Sequence, residues 1–116
     1  MNAAARYRVA TAYRRSTSTP IRCGRGESVQ LGRRDDQYPG WVRVMTVARS
    51  EGWAPQSMIE VVTSDRGLLN EDYDARELTT KLGEEVTCIR QLAGWAWVEN
   101  AQGDSGWVPL ETLVRI

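Results

Sequence analysis

The side chains in this chain that could do chemistry are acids, thiols and indoles, because histidine is missing altogether. Its absence removes the commonest general base and the commonest metal ligand. The two cysteines, Cys23 and Cys88, stand far apart and in no metal-ligand spacing. Each suits a small buried strand residue in a reducing compartment better than a disulfide. Acids gather at Asp35-Asp36 and at Asp72, Asp74 and Glu77. Paired carboxylates can in principle drive hydrolysis, but no phosphate loop, nucleophile elbow or metal spacing accompanies them. Three readings of these acids stay open: solvated loop charge, counter-charge for a basic ligand, and pairing with arginines such as Arg14 and Arg15. The expectation is binding without catalysis, with no cofactor and no metal.

Five tryptophans and no phenylalanine make an unusual aromatic set. An indole joins a large apolar body to one N–H donor, which suits interfaces. Trp41 and Trp95 each follow a loop glycine at the start of a strand, where the ring can face solvent or plug a small core. Trp53 and Trp107 read more readily as structural, lining a groove floor or a seam. Trp97 shares a strand face with Trp95 by the period of two. Tyr13 and Tyr73 are evenly balanced between the two roles.

These aromatics recur in a pattern. Pro20-Ile21-Arg22-Cys23-Gly24-Arg25-Gly26-Glu27-Ser28-Val29 aligns with Glu77-Leu78-Thr79-Thr80-Lys81-Leu82-Gly83-Glu84-Glu85-Val86. Both read as an apolar residue, four spacers, then Gly-Glu-x-Val. Gly40-Trp41-Val42-Arg43-Val44 aligns with Gly94-Trp95-Ala96-Trp97-Val98, and Gly52-Trp53-Ala54-Pro55 with Gly106-Trp107-Val108-Pro109. Each copy closes on an apolar stretch, Met58-Ile59 and Thr112-Leu113. Four matched blocks in one order point to a duplication.

The elements that must position these residues are short strands. Val29-Gln30-Leu31, Val42-Arg43-Val44 and Val86-Thr87-Cys88-Ile89 alternate as half-buried strands do. Asn100-Ala101-Gln102-Gly103-Asp104 is a turn signal between two of them and predicts a hairpin. Pro55 and Pro109 sit where a missing N–H does no harm, at strand ends. A single tight helical turn is predicted after each, at Gln56-Ser57-Met58 and Leu110-Glu111-Thr112. No window carries a helical stripe, so the class is all-β, built as small barrels or sandwiches.

At 116 residues the chain suffices for two of the smallest domains. The division falls at 1–63 and 64–116, with Val62-Thr63-Ser64-Asp65-Arg66-Gly67-Leu68 as a short link. The net charge is zero, yet residues 1–63 carry ten arginines against five acids and residues 64–116 five bases against ten acids. That split would let the halves attract each other, or form one groove with oppositely charged walls. The stretch MNAAARYRVA has no apolar core of signal-peptide length, and no run is long enough to span a membrane. The chain is therefore read as a whole, cytoplasmic protein, a monomer with docked domains.

The order Gly-Glu-x-Val, Gly-Trp, Gly-Trp-x-Pro, apolar resembles the SH3 domain, and its flavour is that of the variant SH3 domains of bacterial proteins. Asp72-Tyr73-Asp74-Ala75-Arg76-Glu77-Leu78 is similar to the SH3 opening that leads into the RT loop, and Ala12-Tyr13 is its counterpart in the first copy. The resemblance implies two tandem five-stranded SH3-like barrels, each with a shallow aromatic groove for extended proline-rich peptide. Carried over to these positions, the groove residues would be Tyr13, Asp35, Asp36, Trp41, Trp53, Pro55 and Met58 in the first copy. In the second they would be Tyr73, Asp74, Glu77, Trp95, Trp107, Pro109 and Thr112. Family members usually carry tyrosine where Met58 and Thr112 stand. The first RT segment, Arg14-Arg15-Ser16-Thr17-Ser18-Thr19, is basic where the family is acidic. The function implied is an adaptor or regulator that binds a protein or peptide. The alternative is a small barrel that contacts nucleic acid through Arg6, Arg8, Arg14, Arg15, Arg22 and Arg25, although the acidic second half opposes it.

Overall fold

The computed structural model describes residues 4–116, so the first three residues of MNAAARYRVA lie outside the described part. Strands β1 (Ala5–Val9), β2 (Arg22–Cys23), β3 (Ser28–Arg34), β4 (Trp41–Met45), β5 (Glu51–Pro55) and β6 (Ile59–Thr63) come from the first repeat. Strands β7 (Arg66–Leu69), β8 (Tyr73–Asp74), β9 (Glu85–Leu92), β10 (Trp95–Glu99), β11 (Ser105–Pro109) and β12 (Leu113–Arg115) come from the second. Both predicted helical turns are present as 3₁₀ turns, Gln56–Met58 and Leu110–Thr112. The protein is all-β, with two five-stranded antiparallel sheets that resemble SH3 folds. Their pairing orders, β5-β4-β3-β7-β6 and β11-β10-β9-β1-β12, each leave two end strands unjoined among the described residues.

The repeated motifs build the same turns twice. Gly26 and Gly83 adopt φ of +84° and +86°, a left-handed conformation that glycine takes at no steric cost. The glutamate that follows caps its own turn: Glu27 Oε1 accepts from Gly24 N at 3.1 Å, and Glu84 Oε1 from Lys81 N at 3.0 Å. This is why Gly-Glu recurs. Gly40 and Gly94, at φ of +96° and +85°, close the turns before the tryptophan strands. Their carbonyls accept from Gln56 N at 2.8 Å and Leu110 N at 2.9 Å, the first N–H after each proline. Trp41 pairs with Pro55 and Trp95 with Pro109 across the adjoining strands. The Asn100–Asp104 hairpin forms as predicted, with Asn100 N bonded to Asp104 O at 2.9 Å.

The strand order crosses the repeats. β1 pairs with β9 and β12, whereas β7 pairs with β3 and β6. The chain accordingly divides into a split unit, Met1–Ser18 with Arg76–Ile116, and a continuous unit, Thr19–Ala75. These compact units differ from the halves 1–63 and 64–116 because each repeat gives its first strand to the other. The link expected at Val62–Leu68 is no tether. Ser64 and Asp65 are the turn of a hairpin between β6 and β7, closed by Thr63 Oγ1 on Asp65 Oδ1 at 2.9 Å. A two-residue turn leaves the following strand beside the preceding one. The second repeat's first strand is thereby committed to the first repeat's sheet.

The exchange is reciprocal down to single bonds. Val9 N donates to Glu84 O and Gly83 N to Val9 O, both at 2.8 Å. In the other unit Leu69 N donates to Glu27 O at 3.0 Å and Gly26 N to Leu69 O at 2.7 Å. Val9 and Leu69 are the buried plugs of the strands they end, with 0% and 2% of their surfaces exposed. Val9 packs with Val86, Cys88, Ala96, Val98, Val108 and Leu113. In the continuous unit the buried apolar residues include Ile21, Cys23, Val29, Val44, Ala54, Met58, Ile59 and Leu69, together with Trp41, Val42 and Tyr73.

Regrouping the strands also regroups the charge. The split unit carries eight basic against six acidic side chains, a net of +2, and the continuous unit seven against nine, a net of −2. The charge imbalance between the sequence halves is therefore much reduced between the folded units.

Candidate aromatic binding site

Exchange of the first strands carries the tyrosines with it. In the split unit Tyr13 bridges Thr80, with Tyr13 N on Thr80 O at 3.1 Å and Thr80 N on Tyr13 O at 2.8 Å. This sets the Tyr13 ring edge-on to Trp95 of the other repeat, with centroids 5.8 Å apart and planes at 83°. On β10, Ala96 and Val98 are buried, so Trp95 and Trp97 occupy the opposite face, both half-buried. Trp97 meets Trp107 edge-on at 5.4 Å, and the Arg76 guanidinium lies 5.4 Å from the Trp97 ring. Tyr13, Trp95, Trp97 and Trp107 thus form an aromatic strip across β10 and β11.

The floor of this strip is fixed by close backbone packing. Trp107 N donates to Arg76 O at 2.8 Å and Leu78 N to Trp107 O at 3.1 Å. Gly106 permits this approach: a Cβ there would lie 2.7 Å from the Glu77 carbonyl carbon and 2.8 Å from Leu78 N. Pro109 is buried beside Trp95, its partner across the strands, and buried Thr112 donates its hydroxyl to Pro109 O at 2.7 Å. Thr112, standing where a tyrosine would complete an SH3 groove, is turned inward to the backbone.

The continuous unit differs. Tyr73 pairs with Cys23 through β8 and β2, and its hydroxyl donates to Trp53 O at 2.7 Å. Tyr73 and Trp41 are each only 5% exposed, and Pro55 and Met58 are buried as well. The outward ring suggested for Trp41 is not found. The loop before it is folded by Asp35, whose Oδ1 accepts from Gln37 N at 2.7 Å and Tyr38 N at 3.1 Å, while Asp35 N bonds Trp41 O. Trp53 is half-buried here, and Arg33 and Arg43 stack against it at 4.9 and 5.5 Å from the ring centroid. Sequence reasoning missed both arginines. The strand pairing of Arg43 with Trp53 was the signal for one of them.

Most of the acids proposed as ligand counter-charges are used within the molecule. Glu77 Oε1 accepts from Tyr13 Oη at 2.7 Å and Ser16 N at 2.7 Å, and both its oxygens lie 3.0 Å from Ser16 Oγ. Asp74 faces Arg22 at 3.6 Å, and Asp72 accepts from Arg25 N at 2.8 Å. Asp36 is exposed. Cys23 and Cys88 are free thiols, both buried. Burial, helped by Glu27, pushes the Cys23 thiol up to about 11. Among the described residues no group of His, Cys, Asp or Glu could hold a metal ion. A shallow cavity of about 280 Å³ in the continuous unit is lined by Ser28, Gln30, Thr46, Arg49 and Arg66, among others, none of them a proposed groove residue.

Residues 6–62 match the family model described as Variant SH3 domain. The matched stretch is the first repeat in sequence order, and gives one SH3-like domain; the second follows from the likeness of the two sheets. SH3-like domains are non-catalytic. Neither a curated protein nor a solved structure matches the chain. No helix among the described residues is long and apolar enough to cross a membrane.

Proposed function

We propose that this chain is a non-enzymatic protein-interaction module, made of two SH3-like barrels, which holds a peptide or a protein segment on the aromatic strip of the split unit. The observation that carries this reading is the edge-on pair of Tyr13 and Trp95, both half-buried, with buried Pro109 beside Trp95 on the adjoining strand. Rings held this way offer flat apolar faces, and an indole adds one N–H donor for a peptide carbonyl. Extended or polyproline segments suit such a surface, because they expose apolar side chains and lose little entropy on binding. The match of residues 6–62 to the Variant SH3 family supports the same role.

The proposed contact set is Tyr13, Trp95 and Trp97, with the buried Trp107, Pro109 and Thr112 as support beneath and beside them. The set Trp41, Tyr73, Pro55 and Met58 lies buried in the continuous unit and serves as core there. Titration of the full chain with a proline-containing peptide library, followed by the indole N–H resonances, tests the reading. Trp95 and Trp97 should shift and Trp41 should not. A partner bound equally well after Trp95→Ala would refute it.

A further inference from the structure

The groove segments of the split unit carry an unbalanced charge, and this selects among partners. Resting on the peptide-binding reading above, we infer that the Tyr13–Trp95 groove is built for an acidic peptide. Four segments border it: 13–16, 76–79, 94–95 and 109–112. Their basic side chains are Arg14, Arg15 and Arg76, all exposed. Their acids are Glu77 and Glu111. Glu77 accepts from the Tyr13 hydroxyl and from Ser16, which pins its carboxylate to this segment; these neutral donors leave its charge in place, so the four segments hold three basic against two acidic side chains. Glu111, on the turn beyond Pro109, is already engaged within the molecule.

Arg14 and Arg15 differ from both acids. They follow Tyr13 directly, and their backbone is anchored: Arg15 N donates to Thr79 Oγ1 at 3.2 Å, and Ser16 N to Glu77 at 2.7 Å. Among the described residues no acid pairs with either guanidinium. Two cations outside any ion pair are thus carried on a fixed segment that directly follows one ring of the strip. At the other end of the strip Arg76 stacks on Trp97 at 5.4 Å. Its Nη2 is bonded to Ser105 Oγ at 3.4 Å, so what it offers a carboxylate is an exposed positive charge fixed in place on the ring. A peptide with apolar or proline residues on the rings and Asp or Glu at both ends satisfies this arrangement. A basic peptide would meet three like charges. Nucleic acid is disfavoured, because the split unit's net charge is only +2 and the other unit's is −2.

The test is a selection from a random-peptide library on the full chain, with removal of peptides that also bind the Trp95→Ala chain. The surviving pool should be enriched in Asp and Glu beside apolar or proline residues. Its affinity should fall as salt rises, and by about tenfold for the Arg14→Glu, Arg15→Glu chain. The conservative pair Arg14→Lys, Arg15→Lys should retain most of the binding. A pool rich in Lys and Arg, or one without charge, overturns the acidic assignment while leaving the groove intact. An empty pool overturns the groove reading as well. Oligothymidylate that displaces the selected peptides from Trp95 would overturn the proposal by assigning the surface to nucleic acid.

Discussion

Tyr13 and Trp95 come from different repeats, yet their rings meet edge-on with centroids 5.8 Å apart. Tyr73, the counterpart of Tyr13, is likewise bonded to Trp53 of the other repeat, at 2.7 Å. Each aromatic cluster is therefore a product of strand exchange: β1 and β7 carry the tyrosines across as they complete the opposite sheets. The two clusters then diverge, since Tyr13 and Trp95 stay half-buried whereas Tyr73 and Trp41 do not.

Tyr13→Phe separates support from recognition. The substitution keeps the ring against Trp95 and removes the 2.7 Å hydrogen bond to Glu77. Glu77 keeps Ser16 as a donor, so the carboxylate is not stranded. The expected loss of stability is about 1 kcal/mol, toward the low end for a bond to a charged group because the site is partly solvated. Peptide affinity should change less than twofold. Urea denaturation and a peptide titration on the same variant check both halves, and a large loss of binding would make the hydroxyl itself part of the contact surface.

Gly106→Ala should be among the most damaging single-methyl changes in the chain. The added Cβ would meet backbone atoms of Glu77 and Leu78 at 2.7 and 2.8 Å, and backbone cannot rotate aside as a side chain can. A cost of about 1–3 kcal/mol is expected from overpacking, with the Arg76–Leu78 segment displaced from β11. Gly52→Ala is the control. The nearest atoms to its new Cβ would be Ile21 side-chain carbons, at 3.0–3.1 Å, and a side chain can shift where backbone cannot. Thermal unfolding of the pair should rank Gly106→Ala clearly lower.

What the sequence revealed was local. Gly26-Glu27 and Gly83-Glu84 announce turns because the glycine conformation and the glutamate cap are settled within a few residues. The same holds for the 3₁₀ turns after Pro55 and Pro109. Strand exchange was hidden because the repeats are alike: Val9 and Leu69 fit either sheet, and alternation does not say which Gly-Glu turn a strand will bond. The only local clue was the two-residue turn at Ser64-Asp65. Burial of Trp41 was hidden for a related reason. The period of two gives a ring's face but not the cover that loops supply, so Trp41 and Trp95 look equivalent in sequence and differ in the fold.

Cys23 gives the stability a pH dependence of known sign. Burial holds the folded thiol near 11 against 9.0 for the free group. Once the pH exceeds 9.0 the unfolded chain loses this proton while the folded chain keeps it, so unfolding is favoured. The contribution is complete below that point, fades as the pH rises toward 11, and then levels off. Cys23→Ala removes it. The difference in denaturation midpoint between wild type and Cys23→Ala should therefore stay constant up to pH 9 and shift against the wild type between 9 and 11. The native thiol should also resist alkylation at neutral pH.

The exchange itself predicts which parts of the chain depend on which. Leu69→Ala empties a fully buried site in the continuous unit, although Leu69 belongs to the second repeat. The expected cost is about 2–5 kcal/mol. Amide protection should fall in β3 to β6 and remain in β9 to β12. Val9→Ala should do the reverse, loosening β9 and β12 by way of Glu84 and Leu113 while sparing the continuous unit. Fragments extend the same argument. Residues 19–75 contain every strand of their sheet and should fold alone, whereas residues 1–63 lack β7 and should not, despite spanning the stretch that matches the SH3 family. Independent folding of 1–63 with β1 in the place of β7 would mean that the repeats can also close in sequence order. Hydrogen exchange on the two point variants and circular dichroism of the two fragments distinguish these outcomes.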